Sequence, residues 1–138
     1  MTLDHATGDE LLAEARRTLL ERILPALPPD LRYEGAMIAN AMAIAMREII
    51  DGSAATNAVL GALSGLYGDA QTARPSESAD AALARLEQRL ASDLRKGVFD
   101  APDAAREQVR HALRAATVAR LTLSNPKVLL DGKEGRNK

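Results

Sequence analysis

One run of the chain, residues 36–46, constrains the fold more than any other. Ten of its eleven residues are apolar, and the remaining one is Asn40. A helix that is apolar on every side has no face left for water, so it is expected to lie inside a protein. The run is too short to cross a bilayer, which needs about 20 such residues. We therefore predict a central helix of a small helical domain, at about residues 31–50.

The composition favours helices throughout. The chain has 138 residues, a length that suits one domain with its own core. Aromatic residues are only 2% of the chain, so the core must consist of aliphatic side chains, Met and Ala. These residues favour close-packed helices over sheets. We expect an all-α, single-domain bundle of four to five helices over residues 1–131, followed by a polar, frayed tail at residues 132–138.

Start and stop signals divide the N-terminal half into three predicted helices. Thr7 and Glu10 have the spacing of a capping box, and Pro25 should end or kink the helix that they begin. Asp51-Gly52 is expected to end the central helix, because glycine readily takes the left-handed conformation that follows a helix. A third helix is expected at about residues 54–67. Its Gly61 and Gly65 lie one turn apart, which either permits a close helix approach or marks a weak helix.

The C-terminal half carries two more predicted helices after a loop at residues 68–76. Ser76 or Ser78 should begin the first of them, whose leucines recur every three or four residues, and Gly97 should end it. Asp100 is expected to cap the next helix, with Pro102 in its first turn. Asn125-Pro126 should end that helix.

Several function classes are disfavoured by the composition. There is no cysteine, which excludes disulfides and thiol chemistry. The first residues show no basic segment followed by an apolar stretch, so we expect no signal peptide and a cytoplasmic protein. Residues 101–138 carry eight basic against four acidic residues, which is too weak a bias to predict nucleic-acid binding. We expect no membrane association.

No catalytic or metal-binding motif is visible. Ser64 with Gly61 and Gly65 does not form the Gly-x-Ser-x-Gly elbow. Glu107 and His111 share one helix face, but helical two-metal sites need two Glu-x-x-His units, and the chain has none. We therefore predict no enzyme activity, no cofactor and no metal.

Asn40 is the most distinctive single residue. A buried amide without hydrogen-bond partners costs about 1–3 kcal/mol. It could be a structural residue that fixes helix register, or an amide that faces a ligand in a pocket. The two interpretations stay open on sequence alone.

Charged residues supply the other candidate positions. Arg106, Arg110 and Arg114 form a row at four-residue spacing, which suits phosphate or carboxylate groups. Asp103 and Glu107 can pair with the first two arginines, so a solvated helix face is the alternative. Near the central helix, charged or polar side chains mark both ends and are either solvated or part of an interface: Arg32, Tyr33, Glu34, Arg47 and Glu48.

Three stretches, Leu24-Pro25-Ala26-Leu27, residues 31–48 and residues 120–127, together resemble a bacterial family of small helical proteins. Its members tend to be encoded beside aminoglycoside-phosphotransferase-like kinases and acyl-CoA dehydrogenases. The resemblance implies structural or interfacial importance for matching positions, and no catalytic residues: Arg32, Tyr33, Asn40, Arg47, Glu48, Arg120, Asn125 and Pro126.

The resemblance also implies a role. It suggests a non-catalytic accessory subunit, whose partner is a phosphotransferase-like kinase acting on hydroxyacyl-CoA substrates. The alternative is a small binding protein for an acyl or CoA-like anionic ligand, held by arginines. The surplus apolar surface of the central helix also makes a homodimer a candidate assembly.

Overall fold

The computed structural model describes the backbone of residues 5–68 and 74–134, and the side chains of residues 5–68 and 74–130. These residues form helices joined by turns, with no strand among them. The predicted all-α class is therefore confirmed. The chain divides into two compact units, residues 1–52 and residues 53–138.

The first unit begins with helix α1, Gly8–Thr18. The predicted capping box is present, and the Thr7 backbone N–H donates to the Glu10 carboxylate at 2.8 Å. Regular α-helix ends at Thr18. A π-helical turn follows at Leu19–Ile23, in which the Leu24 N–H donates to the Leu19 carbonyl, and a 3-10 turn continues it at Leu24–Ala26. The helix is therefore distorted in the turns that lead to Pro25, as predicted.

Helix α2 runs without interruption from Arg32 to Tyr67 and has 36 residues. The predicted stop at Asp51-Gly52 is wrong, and so is a separate third helix. Among the described glycines, only Gly68 and Gly97 take positive φ, so Gly52 does not adopt the left-handed conformation that a glycine stop requires. The helix ends where Gly68, with φ +81°, donates its N–H to the Ser64 carbonyl at 2.8 Å.

The second unit contains the end of α2 and three further helices: α3, Ala79–Arg95; α4, Ala104–Ser124; and α5, Lys127–Glu134. Ser78 caps α3 by accepting from the Ala81 N–H at 3.2 Å. Gly97, with φ +72°, follows its end as predicted. Part of the predicted 68–76 loop, residues 69–73, lies outside the described residues.

The predicted cap of α4 is off by three residues. Asp103, not Asp100, accepts the Arg106 backbone N–H at 3.2 Å, so Pro102 precedes the helix rather than lying in its first turn. Asp100 instead belongs to the preceding turn, where its N–H donates to the Gly97 carbonyl. Asn125 ends α4 as predicted. Helix α5 extends to Glu134, into the segment predicted to be frayed, and residues 135–138 lie outside the description.

Most of the described core lies in the second unit. Its buried cluster joins α2, α3 and α4 and consists of Val59, Leu63, Leu86, Leu90, Val109, Ala112 and Ala119. Leu63 and Leu86 are its largest fully buried side chains. The predicted leucine seam of α3 is partly confirmed, because Leu86 and Leu90 are buried whereas Leu94 is 40% exposed.

The apolar run at residues 36–46 is helical, but the prediction that it is enclosed is wrong for the single chain. Ala39 alone is buried in it, and Met37 and Ile38 are each 51% exposed. The first unit covers one side of the run with α1 and the turns that follow. Apolar composition predicted the helix, but burial depends on how many other helices pack on it.

Candidate functional site

The outstanding surface of the first unit is an apolar stripe along α2. Tyr33 is 72% exposed, and Met37, Ile38 and Ile49 are each more than half exposed. Side chains three and four residues apart lie next to one another on a helix, so the following residues share one side, which we call the exposed face of α2: Tyr33, Met37, Ile38, Ala41 and Ile49, with the half-buried Ile44 and Ala45 between them. The exposed Glu34 and Glu48 lie on the same side, toward its two ends. Exposed apolar side chains next to one another on one helix are a candidate interaction surface.

The opposite side of α2 is held by the first unit itself. The Arg16 Nε on α1 donates to the Ala39 carbonyl at 3.0 Å. Farther toward the start of α2, Gly35 is buried, and a Cβ there would lie 2.7 Å from the Leu24 Cδ1 and 2.9 Å from the Leu27 Cδ1. These contacts fix the side of the helix that faces α1, and with it the side that stays open.

Asn40 lies at the edge of the exposed face, three residues after Met37. It is exposed rather than buried, so the predicted buried amide is wrong for the single chain. The argument for a costly unpaired amide therefore fails, because water can satisfy an exposed side chain. Its remaining possible role is at a surface.

The other candidate residues of α2 surround the same segment. Arg32 is exposed, and its Nε donates to the Leu27 carbonyl at 3.3 Å. Arg47 is half-buried and Glu48 is exposed. Because α2 continues to Tyr67, these two do not lie in its last turn, and the predicted electrostatic match of Arg47 to a helix C-terminus is wrong.

The remaining resemblance-based positions belong to the second unit. Arg120 on α4 forms an ion pair with Glu87 on α3, with 2.7 Å between the Arg120 Nη2 and the Glu87 Oε1. Asn125 is the C-terminal cap of α4, and its backbone N–H donates to the Leu121 carbonyl at 2.8 Å. Pro126 begins the turn into α5, where its carbonyl accepts the Leu129 N–H. These contacts give the three residues structural roles.

The arginine row of α4 divides into two kinds of position. Arg106 and Arg110 both line a cavity of about 440 Å³ beside Leu94, Phe99 and Leu113. Arg114 is not among the residues of that cavity. The predicted pairing of Arg110 with Glu107 is confirmed at 3.3 Å, with both side chains largely exposed. The Arg106 side chain donates instead to the Asp100 carbonyl at 3.4 Å.

A second cavity, of about 220 Å³, lies between α3 and α4 and was not predicted. Val59, Leu63 and Leu90 contribute to its lining, and Leu94 and Leu113 line both cavities. The predicted leucine seam placed Leu94 in the core, and only the three-dimensional arrangement shows it at a cavity wall. The position of Leu94 at the end of the leucine seam was the only feature of the sequence that could have indicated this cavity.

Tyr67 forms a polar cluster at the end of α2 that sequence reasoning also missed. Its hydroxyl donates to the Asp93 carboxylate at 2.7 Å, and the Arg89 guanidinium lies 4.1 Å from its ring centroid. Burial, together with the hydrogen bond to Asp93, raises the pKa of Tyr67 well above its ordinary value. The Tyr67 hydroxyl keeps its proton and donates it in the hydrogen bond that ties α2 to α3. This contact gives Tyr67 a structural role.

Within the described residues, no group of three or more His, Cys, Asp or Glu could hold a metal ion. Over the same part of the chain, no helix is long and apolar enough to cross a membrane.

Comparison with known proteins places the chain in a family. The family model described as "Domain of unknown function (DUF6285)" matches residues 25–128. The chain belongs to this family. No curated protein and no solved structure matches it. The matched range contains the exposed face of α2 and the helices that line both cavities, so these surfaces belong to the family domain.

Proposed function

We propose that the protein is a non-catalytic accessory subunit that binds a partner protein through the exposed face of α2. The observation that carries this proposal is the half or greater exposure of Tyr33, Met37 and Ile38 on a helix whose other side is packed. A helix that lays an apolar face into a groove of its partner is a common recognition mode.

The exposed side chains are of the kinds that contribute most to interfaces. Tyrosine and methionine are enriched in interface cores. Completely burying a side chain such as Met or Ile is worth about 1.5–3 kcal/mol, so completing the burial of a half-exposed one contributes about half of that. Several such residues on one helix face can therefore form the centre of an interface, with further contacts needed to offset the freedom lost on association.

The partner follows from the resemblance noted above rather than from the geometry. We propose a phosphotransferase-like kinase that acts on hydroxyacyl-CoA substrates, which also implies a cytoplasmic location. A second copy of the chain is the competing occupant of the same face, and the experiment below separates the two.

The test is co-purification of the tagged chain from its native cell, with partners identified by mass spectrometry. We expect a phosphotransferase-like kinase with the wild type, and at least a roughly tenfold loss of it, about 1.4 kcal/mol, for Met37→Glu and Ile38→Glu. Asn57→Glu, on an exposed polar position of the same helix, is the matched control and should retain the partner.

Two outcomes contradict the proposal. One is a wild-type chain that elutes alone and monomeric under gentle conditions. The other is a kinase complex that survives both substitutions while circular dichroism shows all variants folded. A concentration-dependent dimer that Met37→Glu dissociates, with no kinase bound, would assign the face to a second copy instead.

A second candidate function is a small binding protein for an acyl or CoA-like anionic ligand. It is favoured by one observation, namely that Arg106 and Arg110 line the same cavity. CoA and acyl-CoA thioesters at millimolar concentration should then raise the melting temperature, because a ligand that binds only the folded state stabilises it. An unchanged melting temperature would exclude this candidate.

A further inference from the structure

We infer that the exposed face of α2 selects a partner groove that is apolar along its length and carries a basic side chain toward each end, and that it rejects a second copy of the chain. On the proposed accessory role, which this inference takes as given, the groove belongs to the partner protein. Two exposed glutamates, Glu34 and Glu48, carry this specificity.

Glu34 and Glu48 lie along the middle of the exposed face rather than at its edge. Each is seven residues from the exposed Ala41. Seven residues are close to two helical turns, so the three side chains lie within about 20° of one line along α2. The two glutamates are about 21 Å apart along the helix axis, at the usual rise per residue. A partner that covers the apolar side chains between them therefore also meets both carboxylates.

No basic side chain of α2 shares this line with the glutamates. Over residues 33–49 the single basic residue is Arg47. It is half-buried and lies about 100° around the helix from Glu48. Among the described residues, no ion pair includes Glu34 or Glu48. Covering a carboxylate without a cation is costly, so a well-matched partner supplies one at each end.

A second copy of the chain does not supply these cations. A two-fold axis can pair α2 with its copy side by side in two ways. An antiparallel pair centred on Ala41 places Glu34 of each copy opposite Glu48 of the other, and a parallel pair places each glutamate opposite itself. Both arrangements oppose like charges across the interface, which suppresses the wrong partner. Sliding one copy along the other would instead cover a carboxylate with apolar side chains.

The apolar side chains and the glutamates thus have separate effects on binding. Met37 and Ile38 contribute apolar area, which favours any apolar groove, including that of a second copy. Glu34 and Glu48 contribute the difference between partners, because specificity is a difference of affinities that often depends on a repulsive element.

The experiment uses a charge-reversed copy of the chain as the basic surface. The full-length double variant Glu34→Lys, Glu48→Lys is mixed with an equal amount of the wild type, and association is measured by sedimentation equilibrium. In either two-fold arrangement each lysine then faces a glutamate. We expect a one-to-one complex at least roughly tenfold tighter than the self-association of either chain alone. This complex should weaken as the salt concentration rises.

Two further double variants are the controls. Glu34→Gln with Glu48→Gln removes the repulsion and should strengthen the self-association of the chain. Glu14→Lys with Glu21→Lys changes the net charge by the same amount as the reversal, at side chains that are 63% and 62% exposed. Their exposed pairs with Arg17 contribute little to stability. Mixed with the wild type, this variant should associate no more tightly than the wild type does with itself, and circular dichroism checks that all variants fold.

The charge selection is overturned if the mixture is no tighter than the wild type alone, or if the Glu14→Lys, Glu21→Lys control associates as tightly as the Glu34→Lys, Glu48→Lys variant. It is also overturned if the glutamine variant self-associates no more than the wild type.

Co-purification distinguishes these failures from failure of the accessory role. A kinase retained equally by the wild type and by Glu34→Lys, Glu48→Lys would overturn the charge selection and leave the accessory role intact. A wild-type chain without a partner would overturn the accessory role, and the mixing experiment would still decide the effect of the charges.

Discussion

At the scale of single residues, polar side chains connect neighbouring helices of the described structure, and two of them were not predicted. Arg16 reaches from α1 to the Ala39 carbonyl of α2, and Tyr67 reaches from α2 to Asp93 of α3. Neither contact could be predicted from the sequence, because each depends on how two helices are placed. The local pairs, such as Arg110 with Glu107, were predicted because helix geometry alone brings them together.

We expect Tyr67→Phe to lower the free energy of unfolding by about 0.5–1.5 kcal/mol, the usual worth of one hydrogen bond. The ring still fills its place against the core, so the loss isolates the bond to Asp93. Urea unfolding measures this loss in the free energy of unfolding. Tyr33→Phe changes the other tyrosine, which is 72% exposed, and should have no measurable effect. Equal stability of both variants would show that the Tyr67 bond contributes nothing.

The ion pair between Arg85 and Glu77 should make the stability of the fold depend on pH. Arg85 donates two hydrogen bonds to the Glu77 carboxylate, at 2.9 and 2.8 Å, and these hold the pKa of Glu77 below its ordinary value. The pair therefore stabilises the fold fully above the unfolded pKa of about 4.3. That contribution is lost as the pH falls through the lower folded value.

Melting temperatures from pH 3 to pH 7 check this expectation. Glu77→Gln should be less stable than the wild type at neutral pH, and the gap should narrow toward pH 3. The exposed Glu34→Gln is the control. A gap that stays constant across this range would contradict the prediction.

At the scale of elements, the continuous α2 shows the limit of glycine as a stop signal. Gly68 and Gly97 follow helix ends with positive φ, whereas Gly52 does not, and Ser53, Ala54 and Ala55 after it continue the helix. Glycine costs up to about 1 kcal/mol inside a helix, which neighbouring helical residues offset. The starts of α1 and α3 were predicted correctly, whereas the start of α4 was misplaced by three residues and Gly52 does not end a helix.

Gly61 and Gly65 lie within α2, and a Cβ at either position would meet nothing within 4 Å. The predicted close helix approach is therefore not present in the described chain. We expect Gly61→Ala and Gly65→Ala each to raise the free energy of unfolding by roughly 0.5–1 kcal/mol. Gly97→Ala should instead destabilise, because Gly97 has φ +72° and its Cβ would lie 2.7 Å from the Asp100 carboxylate. Thermal unfolding measures the stability of the three variants against the wild type. A Gly61→Ala variant that is less stable than the wild type would contradict the prediction and indicate a partner at that position.

At the scale of the whole molecule, the buried side chains are unevenly distributed. The second unit has a cluster of seven buried residues, whereas the buried apolar residues of the first are Leu19 and Ala39 among those described. Composition predicted an aliphatic helical core, but not this division, which depends on how many helices meet at each point.

Hydrogen exchange of the isolated chain should reflect this distribution. Amides near Leu63, Leu86 and Val109 should exchange more slowly than those of α1, because local opening is easiest where few apolar contacts are lost. Exchange followed by mass spectrometry measures this peptide by peptide. Protection of α1 equal to that of α4 in the isolated chain would contradict the expectation.

The π-helical turn at Leu19–Ile23 has a consequence for insertions and deletions. Such a turn holds one residue more than a regular helical turn. The extra residue is absorbed by the bulge and hardly changes the direction of the helix. Removing the exposed Glu21 should therefore restore regular helix and leave Arg16 in place to donate to the Ala39 carbonyl. The docking of α1 should thus tolerate a chain shortened by one residue in this turn.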